Sequence, residues 1–126
     1  MTNIDKAFVT MGLAWLILGM LLGLHMGATA NNKFLDAHVA MVLPGFVVLS
    51  LCGAFYRLWP ATKQAKLAKT QFWIAGIGQL GLVAGTFQFD LSGGSSVALV
   101  ASASVLVIVA AALMLWNFWS HSGYGD

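Results

Sequence analysis

The chain has 126 residues, 60% of them hydrophobic and only 8% charged, with a mean hydropathy of +0.85, a composition far from that of ordinary soluble domains. Its six basic and four acidic residues leave 7–32, 37–56, 70–89 and 91–125 free of formal charge, each long enough for the roughly 20 apolar residues of a membrane-crossing helix. A net charge of +2 without a basic cluster argues against nucleic-acid binding, a single cysteine (Cys52) against disulfide exchange within the chain, and acids confined to segment ends (Asp5, Asp36, Asp90, Asp126) against proton-coupled export, which needs a carboxylate at depth.

The pattern predicts an all-α, polytopic membrane protein, one domain over 1–126 folded as a four-transmembrane-helix bundle. The first helix is expected over 7–27. Ala28-Thr29-Ala30 has the form of a signal-peptide cleavage site, but the apolar run before it exceeds a signal core of about 7 to 15 residues, and Asp5 cancels Lys6 ahead of it. The segment is therefore expected to remain as a span. Gly12, Gly19, Gly23 and Gly27 form a stripe along it that lets another helix approach closely. His25 faces about 160° away from that stripe, toward lipid or another subunit if the stripe packs inside the protomer.

The second helix is expected over 38–59. Pro44 has no N–H to donate and frees the carbonyl of Ala40, so a bend is expected just below His38. At about 100° per residue, Met41, Gly45, Cys52 and Tyr56 fall on the stripe of His38. A flat macrocycle held by His38 would need such a track, with Gly45 allowing close approach, although packing is the more common role of residues such as Met41 and Cys52. His25 and His38 lie at similar depth, and an apolar setting suits neutral imidazole, the form that binds a metal. From position alone, the commoner role of each histidine is a bond to water, a headgroup or a backbone carbonyl.

The third helix, over 70–89, carries a second stripe in Gly78, Gly81 and Gly85. The fourth, over 96–119, offers a softer one through Ala98, Ala101, Ser102, Val105 and Ala112, and His121 follows it near a polar tail where it should be solvated. Lys6 and the group Arg57, Lys63, Lys66 and Lys69 oppose Lys33 alone, which predicts both termini on the cytoplasmic side, in a bacterial inner membrane. Trp59, Trp73, Trp116 and Trp119 stand where interfacial anchors should.

Asp36-Ala37-His38, through Pro44-Gly45 to Gly53-Ala54-Phe55-Tyr56-Arg57-Leu58-Trp59-Pro60, resembles the second helix of the catalytic subunit of haem-copper oxidases, nitric oxide reductases especially. In that helix a histidine near the outer end is followed, toward the inner end, by a Gly-Ala-aromatic-Tyr stretch and a proline. Leu67-Ala68-Lys69-Thr70-Gln71-Phe72-Trp73 resembles the third helix of the same subunit, and residues 7–27 would be its first. The likeness in letters covers 36–60 and 67–73, and the likeness in hydropathy covers the whole chain.

The resemblance implies that His38 binds a b-type haem on the outer side of the membrane. The family's second axial histidine, and its ligands for a high-spin haem and for copper or iron, come from later helices and have no counterpart here. No sustained turnover of oxygen or nitric oxide is therefore expected. The expected function is that of a small membrane cytochrome which carries electrons or binds haem b, with His38, Met41 and Gly45 contacting the cofactor and a second ligand from His25 or another protomer. Adjacent helices about 8 to 10 Å apart leave little room for a porphyrin between two histidines of one hairpin, so a homo-oligomer with haem near its interface is expected. A quinol or a periplasmic redox partner would meet the haem edge. The alternative is a cofactor-free structural or assembly subunit of a membrane respiratory complex. A channel ranks below both, because Gln79, Ser102 and Ser104 make no polar row.

Overall fold

Long apolar runs in lipid must satisfy every backbone N–H and C=O internally, which a helix does within its own segment. The computed structural model describes residues 3–64 and 66–121, and among these every regular element is helical. Four helices are long and apolar enough to cross a membrane: α1 (Ile4–Thr29), α2 (Leu35–Leu58), α3 (Lys66–Leu91) and α4 (Ala98–His121). They overrun most of the apolar limits expected from hydropathy by a few residues. α1 and α3 have 26 residues each, about 39 Å at a rise of 1.5 Å per residue, against a hydrocarbon core of about 30 Å. Between 17% and 39% of each central window is buried within the protein, so most of each helix presents Leu, Ile, Val and Trp outward.

The connections are short. α1 ends on Ala30 in the left-handed region (φ 52°), its N–H donating to the Met26 carbonyl. α3 ends on Gly93 and Gly94 (φ 69° and 93°), and the Gly94 N–H donates to the Phe89 carbonyl at 2.9 Å, a closure that needs positive φ and hence glycine. α2 and α3 are joined by Trp59 and a tight turn of helix, Pro60–Gln64. At this end Asp5 Oδ2 meets Lys63 Nζ at 3.0 Å and Arg57 at 3.5 Å, tying the start of α1 to the connection. Asp36 and Asp90 likewise sit at helix ends, whereas Asp126 and the polar tail lie outside the described residues.

α1 packs along α2, α2 against α3, and α3 along α4. The first glycine stripe does what a small-residue stripe should. A Cβ on Gly19 would come within 2.9 Å of Val42 and 3.1 Å of Met41, and one on Gly23 within 2.9 Å of His38. Gly27 has nothing within 4 Å. The second stripe seats α4: Gly78 faces Leu106 and Val107, Gly81 faces Ala103, and Gly85 faces the backbone of Leu99 and Val100. The expected stripe on α4 does not form the contact. Ala98, Ala101, Ser102, Val105 and Ala112 are all exposed, and the buried face is Ala103, Ala110, Met114 and Asn117. An all-apolar helix carries no preferred side of its own, so the partner surface and the hydrogen bonds of Asn117 select the face.

Around Pro44 the helix does not simply kink. Residues Met41–Val48 widen into π-helical turns, which absorb the missing donor over two turns. The carbonyl of Ala40 is taken up from another helix, by Gln79 Nε2 of α3 at 2.8 Å.

Candidate functional site

His38 lies in the first turns of α2 and is half-buried against α1. Its Nδ1 is 2.7 Å from the carbonyl oxygen of Gly19. A carbonyl can only accept, so Nδ1 carries a proton, and in the neutral ring Nε2 is then the nitrogen with the lone pair. Metal-binding histidines are commonly oriented in this way, one ring nitrogen donating to a backbone carbonyl while the other faces the metal. The absence of a side chain at Gly23 makes room for the ring, since a Cβ there would stand 2.9 Å from Cε1 and 3.3 Å from Nδ1.

His25 is two residues beyond Gly23 on α1 and is exposed. Because the glycine stripe packs on α2 inside the protomer, His25 points away from His38, and one protomer does not bring the two rings together. His121, at the end of α4, is exposed. Among the described residues no three His, Cys, Asp or Glu side chains converge as a metal-binding group.

Met41 and Gly45 are buried, as is the rest of their stripe, Cys52 and Tyr56. What covers them changes along the helix. Met41 lies against Gly19 of α1, while a Cβ on Gly45 would meet Trp15 at 2.9 Å and Gln79 Nε2 at 2.7 Å. Cys52 faces Gln71 of α3. The π-helical turns change the rotation per residue, so a stripe drawn at about 100° per residue passes from facing α1 to facing α3. Within one protomer this face is covered by Trp15 and Gln79, and a macrocycle on His38 would have to lie on the outward side of the helix pair.

A buried polar network lies elsewhere, in a set of bonds that hydropathy alone did not single out. Tyr56 OH donates to Gln71 Oε1 at 3.1 Å, and Gln71 Nε2 donates to the Ala110 carbonyl at 3.3 Å. Asn117 Nδ2 lies 3.2 Å from Tyr56 OH and 3.3 Å from the Thr62 carbonyl, donating to both. These bonds join α2, α3 and α4 at the basic end, and Phe8 stacks on Tyr56 (5.6 Å, 16°) to bring α1 in. Gln71 and Gln79 are eight residues apart with Ala75 between them, one face of α3, and that spacing is the signal in the sequence that could have marked the face as buried.

Compared with family models, with curated proteins and with solved structures, the chain has no match.

Proposed function

We propose that the protein is a small membrane cytochrome that binds haem b through Nε2 of His38, at the outward side of the α1–α2 pair and near the interface between protomers. The observation that carries this reading is the Nδ1 bond to the Gly19 carbonyl, which holds the ring and, in the neutral imidazole, makes Nε2 the nitrogen that can ligate. The resemblance of residues 36–60 to the haem-bearing helix of the haem-copper oxidases supports it. A bound haem would supply one-electron redox chemistry. The chain's own contribution is to fix the imidazole tautomer, to surround it with apolar helix, and to present exposed His25 to a neighbour as a second ligand. With five of six basic residues at the opposite end, this reading puts His38 toward the outer leaflet, within reach of a quinol or a periplasmic redox partner.

A second reading is a cofactor-free subunit that packs in a larger membrane complex. The filling of Gly45 by Trp15 and Gln79 favours it, because the smooth track beneath His38 is already used for helix packing.

One spectrum separates the two. Protein purified with haem supplied during expression is expected to show a Soret band that shifts on reduction, and His38→Ala is expected to lose it. A featureless spectrum would overturn the haem reading in favour of the cofactor-free subunit, and wild-type haem content in His38→Ala would show that His38 is not the ligand.

A further inference from the structure

We infer that the groove between α1 and α2 at the basic end binds one anionic phospholipid, with its phosphate between Lys6 and Arg57. The groove has a volume of about 340 Å³, within the roughly 300 to 1,000 Å³ of small-molecule sites. Its floor is made by a close approach of the two helices. A Cβ on Gly53 would stand 2.7 Å from Val9 and 2.8 Å from the Asp5 carbonyl oxygen, so the absent side chain lets α1 and α2 meet there and leaves Val9 and Ala54 beside the seam. Lys6 on α1 and Arg57 on α2 line the same groove, and both are exposed. Farther along α1 the face of Lys6 carries Leu13 and Ile17, also exposed, over which an acyl chain can lie.

The charges around the groove select the headgroup. Asp5 also lines it, but its side chain is only 12% exposed and is held by Lys63 at 3.0 Å, with Arg57 as a second, longer contact at 3.5 Å. The Arg57 side chain is 79% exposed, and one contact through Nη1 leaves most of its five N–H donors for a phosphate. Lys6 has no ion-pair partner among the described residues, and Thr10 on the same wall adds a hydroxyl that can donate to a phosphate oxygen. At this end Asp5 is the one acid among the described residues, against Lys6, Arg57, Lys63, Lys66 and Lys69. A zwitterionic headgroup would bring its own ammonium into that surplus and find no free acid. A free phosphate would leave the apolar floor and the face below it uncovered. A lipid whose headgroup has a phosphate and no cation matches both the charges and the apolar path beneath them.

This site uses neither histidine, so it stands apart from the haem reading and can be tested without it. Full-length protein in detergent micelles is titrated with phosphatidylglycerol or with phosphatidylcholine of the same acyl chains, and bound lipid is counted by native mass spectrometry. The expected result is about one phosphatidylglycerol retained per chain, with a preference of roughly five- to thirtyfold over phosphatidylcholine, the yield of one or two basic side chains at an anionic headgroup. Lys6→Gln combined with Arg57→Gln is expected to bring that preference close to parity. Lys66→Gln combined with Lys69→Gln removes the same charge at the same end but outside the groove, and is expected to leave the preference in place. Ala54→Phe, at an exposed position in the groove, keeps both cations and is expected to abolish retention. Equal retention of the two lipids by the native protein would overturn the proposal, as would retention unchanged by Ala54→Phe. Equal losses in the two double variants would also overturn it, showing diffuse surface charge only. Displacement of the lipid by an equal concentration of inorganic phosphate would assign the two cations to a free anion and overturn the lipid as occupant.

Discussion

Pro44 removes the donor that an α-helix would bring to Ala40, and Gln79 supplies one from the neighbouring helix at 2.8 Å. The two residues should therefore be coupled. Gln79→Leu removes that donor, leaving the carbonyl only the backbone N–H that the π-helical turn brings to it, and is expected to destabilise the fold by about 1 kcal/mol, the order measured for side-chain bonds between helices in membranes. In a Pro44→Ala background the backbone N–H of position 44 returns, and the same Gln79→Leu change should cost measurably less. Reversible unfolding of the four proteins in mixed micelles gives the coupling directly, and additive effects would show that the bond is incidental. His38 presents the same logic in reverse. Its carbonyl partner at Gly19 was invisible in the sequence, because it is a backbone atom of another helix.

Helix pairing follows the glycines, and positions within the stripes differ in how firmly they are closed. A Cβ on Gly85 would stand 2.8 Å from the backbone nitrogen of Val100 and 3.1 Å from the Leu99 carbonyl carbon, neither of which can swing aside. Gly85→Ala is expected to push α4 off α3 at a cost of about 1–3 kcal/mol. Gly27 belongs to the stripe of α1 but has nothing within 4 Å, so Gly27→Ala should be neutral or stabilising by up to about 1 kcal/mol through helix propensity. Unfolding midpoints for the pair check both signs. Equal effects at the two positions would mean that α4 does not sit where the contacts place it. The stripes of α1 and α3 were legible because glycine at spacings of three, four and seven marks one side whatever faces it. On α4 the abundance of Ala, Val and Leu gave no such mark, and the buried face turned out to be the one carrying Ala103, Ala110 and Asn117.

The whole molecule is thin for its length. Each helix leaves most of its surface outside the bundle, and Leu24 (70% exposed) and Trp119 (74%) illustrate how apolar that surface is. Such a surface suits lipid, and a neighbour can share it. If haem bridges protomers, the opposed directions of His25 and His38 on α1 and α2 become complementary across an interface. Chains bearing His38→Ala and His25→Ala, each differently tagged, are expected to recover haem when co-expressed, since a mixed oligomer rebuilds one His38 and His25 pair in trans. Sequential affinity purification followed by a spectrum reads this out. Haem found only with two intact copies of His38 would assign the second ligand to the symmetry-related His38.

Composition and local spacing alone determined that the chain makes four long apolar helices, where they begin and end to within a few residues, and which sides of α1 and α3 admit a close neighbour. These are properties of single segments. Hydropathy measures the cost of exposing a stretch to water, and a glycine stripe is a feature of one helix surface. Tertiary structure decided the rest: the buried side of α4, the donor for Ala40, the tautomer of His38, the covering of Gly45, and the groove that Lys6 and Arg57 share. Each depends on which atoms of a second helix stand opposite. In helices that are apolar all round, no periodic pattern records that choice.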